Sequence, residues 1–165
     1  MNPSETPPAV LHMLCGKIAA GKSTLARQHA QAPRTGRINE DDWLSSLYPG
    51  EIHTLAEYAR CAARLRAAMA AHIAALLPSG VSVVLDFPAN TPDTRHWARG
   101  IFESAGAAHR LHFLEISDEL CRARLRARNA SGEHPFETSD AQFDLITRHF
   151  VAPTDEEGFV VLRHT

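Results

Sequence analysis

Gly16-Lys17-Ile18-Ala19-Ala20-Gly21-Lys22-Ser23 fits the pattern G-x-x-x-x-G-K-[ST] without mismatch, and its flanks decide how it is read. Before it, Val10-Leu11-His12-Met13-Leu14-Cys15 is an apolar run of strand length; after it, Thr24-Leu25-Ala26-Arg27-Gln28-His29-Ala30 reads as helix. Strand, glycine-rich loop and helix in that order let successive backbone N–H groups converge on a polyphosphate, with the positive end of the helix behind them. The motif predicts a nucleotide site formed by Gly16, Ala19, Ala20, Gly21, Lys22, Ser23 and Thr24. Lys22 is expected to reach the β- and γ-phosphates of ATP as a mobile cation, and the Ser23 hydroxyl to ligate the Mg²⁺ that bridges them.

Outward from this loop, strands and helices alternate. Pro33 ends the first helix, and Gly36-Arg37-Ile38-Asn39 makes a short second strand leading into Glu40-Asp41-Asp42 and a helical turn over residues 43–48. Leu55, Ala59, Ala62, Leu65, Met69, Ile73 and Leu76 recur at threes and fours, which predicts one amphipathic helix over residues 54–77. A buried strand over 81–85 with Asp86 at its C-terminal end follows, then a helix over 94–105 and a strand over 109–115. Ser117 caps the next helix, a polar loop spans 129–138, and a helix over 139–148 precedes a last strand at 159–162. This alternation predicts βαβ crossovers: a P-loop NTPase of the nucleoside-kinase-like α/β class, a three-layer α/β/α sandwich around a five-stranded parallel sheet. Its site lies at the C-terminal ends of the strands.

With 165 residues, 44% of them hydrophobic, the chain reads as one domain over residues 9–165 behind a flexible leader, residues 1–8. A formal net charge of −2 offers no global attraction for nucleic acid or an anionic membrane. No apolar stretch approaches the roughly 20 residues that span a bilayer, and a cytoplasmic location is expected. The three cysteines are odd in number and lack C-x-x-C spacing, so reduced thiols are expected rather than a disulfide framework. Ten histidines form no H-E-x-x-H or comparable cluster, and none is assigned to a metal.

Asp41 follows a strand end on the side where the loop opens, and a carboxylate there suits a base that takes a proton from an acceptor hydroxyl. Its neighbour Asp42 is expected to cap the short helix. Asp86 is expected to hold Mg²⁺, directly or through water, or to contact the acceptor. Helix geometry separates the arginines of residues 117–128: Arg124 and Arg128 share a side with Leu120, Cys121 and Leu125, whereas Arg122 and Arg126 fall opposite and are expected to be solvated. A guanidinium facing the protein body calls for an anion, and a triphosphate supplies one. Arg60 and Arg64, one turn apart, read as solvated surface.

Taken together, the P-loop, Asn39-Glu40-Asp41-Asp42-Trp43, the strand ending in Asp86 and the Arg124-x-x-x-Arg128 pair resemble the kinase domain of polynucleotide 5′-hydroxyl kinases over nearly all of residues 10–161. The resemblance implies that Asp41 is the general base, that Arg124 and Arg128 contact phosphates from a lid helix, and that Phe150-Val151-Ala152-Pro153-Thr154-Asp155-Glu156-Glu157-Gly158-Phe159, with Pro153, lies near the adenine pocket. Where that family has D-x-T-N, this chain reads Asp86-Phe87-Pro88-Ala89-Asn90-Thr91. The wider group includes chloramphenicol phosphotransferases and zeta-type toxins. An ATP-dependent, Mg²⁺-dependent kinase acting on a hydroxyl of a small molecule or nucleotide is therefore expected. A polynucleotide 5′ end is the alternative acceptor, and a nucleotide-binding regulator without turnover is a second alternative.

Overall fold

The computed structural model describes residues 7–134 and 136–165; of the expected leader, Met1 to Thr6 lie outside the described residues. The order is β1 (Val10–Cys15), α1 (Lys22–His29), β2 (Thr35–Asn39), α2 (Glu40–Leu47), α3 (Leu55–Leu76), β3 (Ser82–Pro88), α4 (Pro92–Ala105), β4 (Ala108–Leu114), α5 (Asp118–Ser131), α6 (Asp140–Thr147) and β5 (Val161–His164), with a 3-10 turn at Asp155–Glu157. All strand pairings are parallel, in the order β2-β3-β1-β4-β5, so β1 and the loop that follows it occupy the middle of the sheet. This is the expected P-loop α/β architecture.

Side-chain alternation along the strands builds the layers. Leu11, Met13 and Cys15 join Val83, Leu85 and Phe87 in one core with Leu65, Met69 and Ile73 of α3 and Ile101 and Phe102 of α4. On β1 and β3, Leu14 and Val84 instead meet Ala26 of α1. Near the strand ends, Leu114 packs with Ala20, Cys121, Leu125 and Phe143, which seats α5 and α6 beside the loop. Burial of such side chains, at roughly 25 cal/mol per Å² of apolar surface, is the main force holding the layers. Among the described residues no helix is long and apolar enough to cross a membrane.

Several boundaries differ from the sequence reading for physical reasons. Helix α2 begins at Glu40, because the Asn39 side chain accepts from the Asp42 N–H at 2.8 Å and is the N-cap. Asp42 is therefore not the cap; it and Asp41 sit in the first turn, where negative charge opposes the helix dipole favourably. Strand β3 runs on to Pro88, so Asp86 lies within the strand, in register with Asn39. The last strand starts at Val161 rather than Phe159: Gly158 turns the chain in the left-handed region at φ 72°, and Phe159 lies under the Arg99 guanidinium at 4.3 Å. Arg122 and Arg126 are not merely solvated, since they pair with Asp144 and Asp140 and tie α5 to α6.

The chain beyond α6 is fixed to the sheet by a buried charge. Arg95 of α4 is fully buried; it donates to both Glu157 oxygens at 2.7 and 2.9 Å and to the carbonyls of Ala89 and Val151 at 3.1 and 2.8 Å. Chiefly the hydrogen bonds from Arg95 hold the Glu157 carboxyl below its usual range. Breaking such a pair leaves an uncompensated buried cation, so Glu157→Gln is expected to lower stability by about 3 kcal/mol, read as a lower urea midpoint. Because the folded-state value is depressed, the pair's contribution is full above the ordinary carboxyl value of about 4.3 and fades as pH falls through the lower folded value. Urea titrations across that acid range should narrow the gap between wild type and variant.

Candidate functional site

The loop between β1 and α1 is held from three sides. A Cβ at Gly16 would lie 3.2 Å from the Leu114 carbonyl oxygen and 3.3 Å from the Ala20 Cβ, so a side chain there would crowd β4 and the loop's own far side. Asn90, beyond β3, accepts from the Gly16 N–H at 2.9 Å and donates to the Gly16 carbonyl at 2.8 Å. Lys22 folds back across the loop and donates to the carbonyls of Gly16 at 2.6 Å and Lys17 at 2.8 Å. Gly21, at φ 105°, is the N-cap of α1 and brings no side chain to it, leaving the helix's first N–H groups without a side-chain cap.

Desolvation pushes the Lys22 ammonium down to about 8, against the opposing pull of Cys15 and Asp86. An anion arriving over the loop restores the preference for the charged form. Beside Lys22, the Ser23 hydroxyl donates to Asp86 Oδ1 at 3.1 Å. The other oxygen of Asp86 accepts from Arg37 Nε at 3.0 Å, Arg37 Nη2 at 2.5 Å and Asn39 Nδ2 at 2.6 Å. Asp86 is thus a nearly buried carboxylate aimed by β2, with one oxygen turned to the P-loop serine. A hydroxyl and a carboxylate oxygen side by side are the hard donors that Mg²⁺ takes, so Ser23 and Asp86 fit that ion.

Across the cleft, Asp41 is held by the Tyr58 hydroxyl and by His134 Nε2 at 3.1 Å. Burial alone would raise its pKa, but the hydrogen bonds from His134 and Tyr58 outweigh it, and the carboxyl lies below its usual range. Asp41 is therefore ionised at neutral pH. The Tyr58 oxygen also lies 3.0 Å from Glu40 Oε1, and buried Glu40 pairs with Arg66 at 3.1 Å, so α2 and α3 fix Asp41 from behind. Phe136 meets the Tyr58 ring edge-on at 5.5 Å between centroids, which brings the segment after α5 across to α3.

The arginines of α5 complete the site. Arg124 donates to the Ala20 carbonyl at 3.2 Å and remains exposed towards the cleft, while Arg128 is half-buried. Arg128 Nε is buried with no hydrogen-bond partner among the described residues, a donor that a phosphate oxygen would satisfy. Ala19, Gly21, Lys22, Ser23, Thr24, Asp41, Asp86, Arg124 and Arg128 all line one cleft of about 990 Å³. Gly16 and Ala20 form the loop backbone behind that lining, and Pro153 is buried outside it. Sequence reading missed Asn90, Tyr58, His134 and Arg37. Asn90 left a signal, standing two residues past Pro88 in the stretch that departs from D-x-T-N; Arg37 lies on β2 itself, whereas Tyr58 and His134 reach the site from α3 and from the loop after α5.

The family described as AAA domain matches residues 11–153. No curated protein matches the sequence. Among solved structures, a candidate kinase from Chloroflexus aurantiacus superposes with a TM-score of 0.77 at 20% identity, over 98% of this chain and 86% of that one. A chain of the Pnkp1/Rnl/Hen1 RNA repair complex gives 0.60 at 18% identity, over 90% of this chain and 45% of that one. The APS kinase CysC of Mycobacterium tuberculosis, in complex with AMPPNP and APS, gives 0.60 at 18% identity, over 95% of this chain and 90% of that one. At these identities the likeness is one of fold.

The state of Lys22 makes anion binding pH-dependent. Free Lys22 loses its proton through about pH 8, whereas bound phosphates hold it on. Affinity for tripolyphosphate is therefore expected to fall about tenfold between pH 7 and pH 9, measured by calorimetric titration, with the pH dependence absent in Lys22→Met.

Proposed function

The chain belongs to the AAA-domain family with a P-loop kinase-like fold, and we propose that it is a Mg²⁺-dependent phosphotransferase moving the γ-phosphoryl group of ATP to a hydroxyl of a small molecule or nucleotide. The observation that carries this reading is the convergence on one cleft of a P-loop with Lys22, an unpartnered Arg128 donor and an ionised, immobilised Asp41. In this reading the loop N–H groups and Lys22 hold the β- and γ-phosphates, and Arg124 and Arg128 meet the charge that spreads over the transferring group. Ser23 and Asp86 would hold Mg²⁺, which supplies charge neutralisation between the phosphates when bound.

Asp41 orients the acceptor hydroxyl and takes its proton as the new P–O bond forms and the bond to the β-phosphate oxygen breaks. Its hydrogen bonds to Tyr58 and His134 hold it in place but also weaken it as a base. Its main contribution is then alignment of the attacking oxygen, with proton uptake late in the transfer.

Asp41, Asp42, Glu133 and Glu137 line the cleft together with Ile52 and Phe136, and in this reading the acceptor sits beside them. Carboxylates there repel a polyanion, which supports a small acceptor over a polynucleotide 5′ end. With ATP, Mg²⁺ and a panel of nucleosides, nucleotide sugars, hydroxylated antibiotics and 5′-hydroxyl oligonucleotides, one small acceptor is expected to gain the mass of a phosphoryl group. Asp41→Asn is expected to slow that transfer by about 100-fold or more while nucleotide affinity is unchanged. Labelling of the oligonucleotide instead would reverse the order of acceptors, and saturable ATP binding without any product would favour a nucleotide-responsive regulator.

A further inference from the structure

Against the same helix that the P-loop opens, the parallel sheet gathers histidines from three strands. His12 of β1, His112 of β4 and His164 of β5 lie on neighbouring strands, and His29 is the last residue of α1. His12 stacks on His29 with ring centroids 4.9 Å apart, and His29 lies 4.4 Å from His112. His12 Nδ1 and His112 Nε2 are 3.0 Å apart, and His112 Nδ1 is 3.1 Å from His164 Nε2. One ring nitrogen from each of His12, His29 and His112 falls within 4.8 Å of the others.

Ligand nitrogens around a tetrahedral zinc ion, at bonds of about 2.1 Å, stand about 3.4 Å apart. The spacing seen here brackets that value. We propose that His12, His29 and His112 form a binding site for a divalent transition-metal ion of the imidazole-preferring class, with zinc as its occupant and His164 as the outer partner of His112. Three nitrogens without thiolate or carboxylate suit zinc over Mg²⁺ or Ca²⁺.

A plain hydrogen-bonded chain accounts for His12, His112 and His164, but it gives His29 no role. The His29 ring makes no hydrogen bond among the described residues, yet it packs against both of the others. The His112 ring is nearly fully buried, and its Nδ1 faces His164; with the proton on Nδ1 and donated to His164, Nε2 is left for the ion. His12 and His29 are half-buried, which gives the ion a path in, and solvent fills the fourth position. Arg110, opposite His12 in the ladder, is the nearby charge that opposes a cation.

An ion here would pin the C-terminal end of α1 to the middle of the sheet, while the N-terminal end of the same helix forms the phosphate loop. The site is independent of the proposed transfer. It escapes sequence motifs because its ligands come from residues 12, 29 and 112, each on a different element.

The test is calorimetric titration of Zn²⁺ into the full chain, prepared without a polyhistidine tag and stripped with chelator, alongside the visible spectrum of the Co²⁺ form. Uptake of one equivalent is expected, with tetrahedral Co²⁺ bands and a melting temperature raised by the metal. His29→Ala and His12→Gln are each expected to weaken binding by about tenfold or more, and His164→Ala by about tenfold. His149→Ala, at an exposed site away from the cluster, should change nothing. Both ligand variants must keep the wild-type circular dichroism spectrum, and either one that does so suffices for the test. Absence of uptake, or uptake that survives in a folded ligand variant, overturns the site.

Discussion

The structure depends on how tightly the backbone at Gly16 is confined. Its carbonyl accepts from both Lys22 and Asn90, its N–H is taken by Asn90, and its missing side chain leaves room for the Leu114 carbonyl. Those contacts come from the loop itself, from the turn after β3 and from β4, so the three central strands converge on one peptide unit. A loop fixed in this way presents its N–H groups without reorganisation, which is what makes a preorganised anion site effective. Asn90 is thus occupied with holding the phosphate loop.

The polar network on the other side of the cleft follows the same logic. Asp41 does not stand free at a strand end; Tyr58 and His134 clamp it, and Glu40 with Arg66 anchors Tyr58's other contact. Asp86 is likewise shared between Ser23, Arg37 and Asn39. Carboxylates satisfied to this degree keep one orientation, and the reduced local dielectric strengthens each of their bonds. The cleft therefore carries both signs of charge, with Lys22, Arg124 and Arg128 in the same lining as Asp41, Asp42, Glu133 and Glu137.

Further from the cleft, the pair of fully buried Arg95 with half-buried Glu157 decides where the chain after α6 runs. The E-G-F portion of that segment serves this anchorage: Glu157 meets Arg95, Gly158 turns, and Phe159 packs beneath Arg99. Pro153, in the same segment, is buried and outside the cleft lining.

Local signals determined much of the protein. The P-loop, the alternation of strands and helices, the parallel sheet and the placing of Lys22, Ser23, Asp41, Asp86, Arg124 and Arg128 were legible because each rests on a motif or a period within a short span of chain. Element ends were less so: Asn39 displaced Asp42 as cap and Phe159 fell outside its strand, because side-chain hydrogen bonds and packing override propensity at boundaries. Tyr58, His134 and the histidines of the sheet became visible only in three dimensions. Parallel strands joined by helical crossovers bring together residues such as His12 and His112, or Asp41 and His134, that lie many residues apart, and no sequence period encodes that meeting.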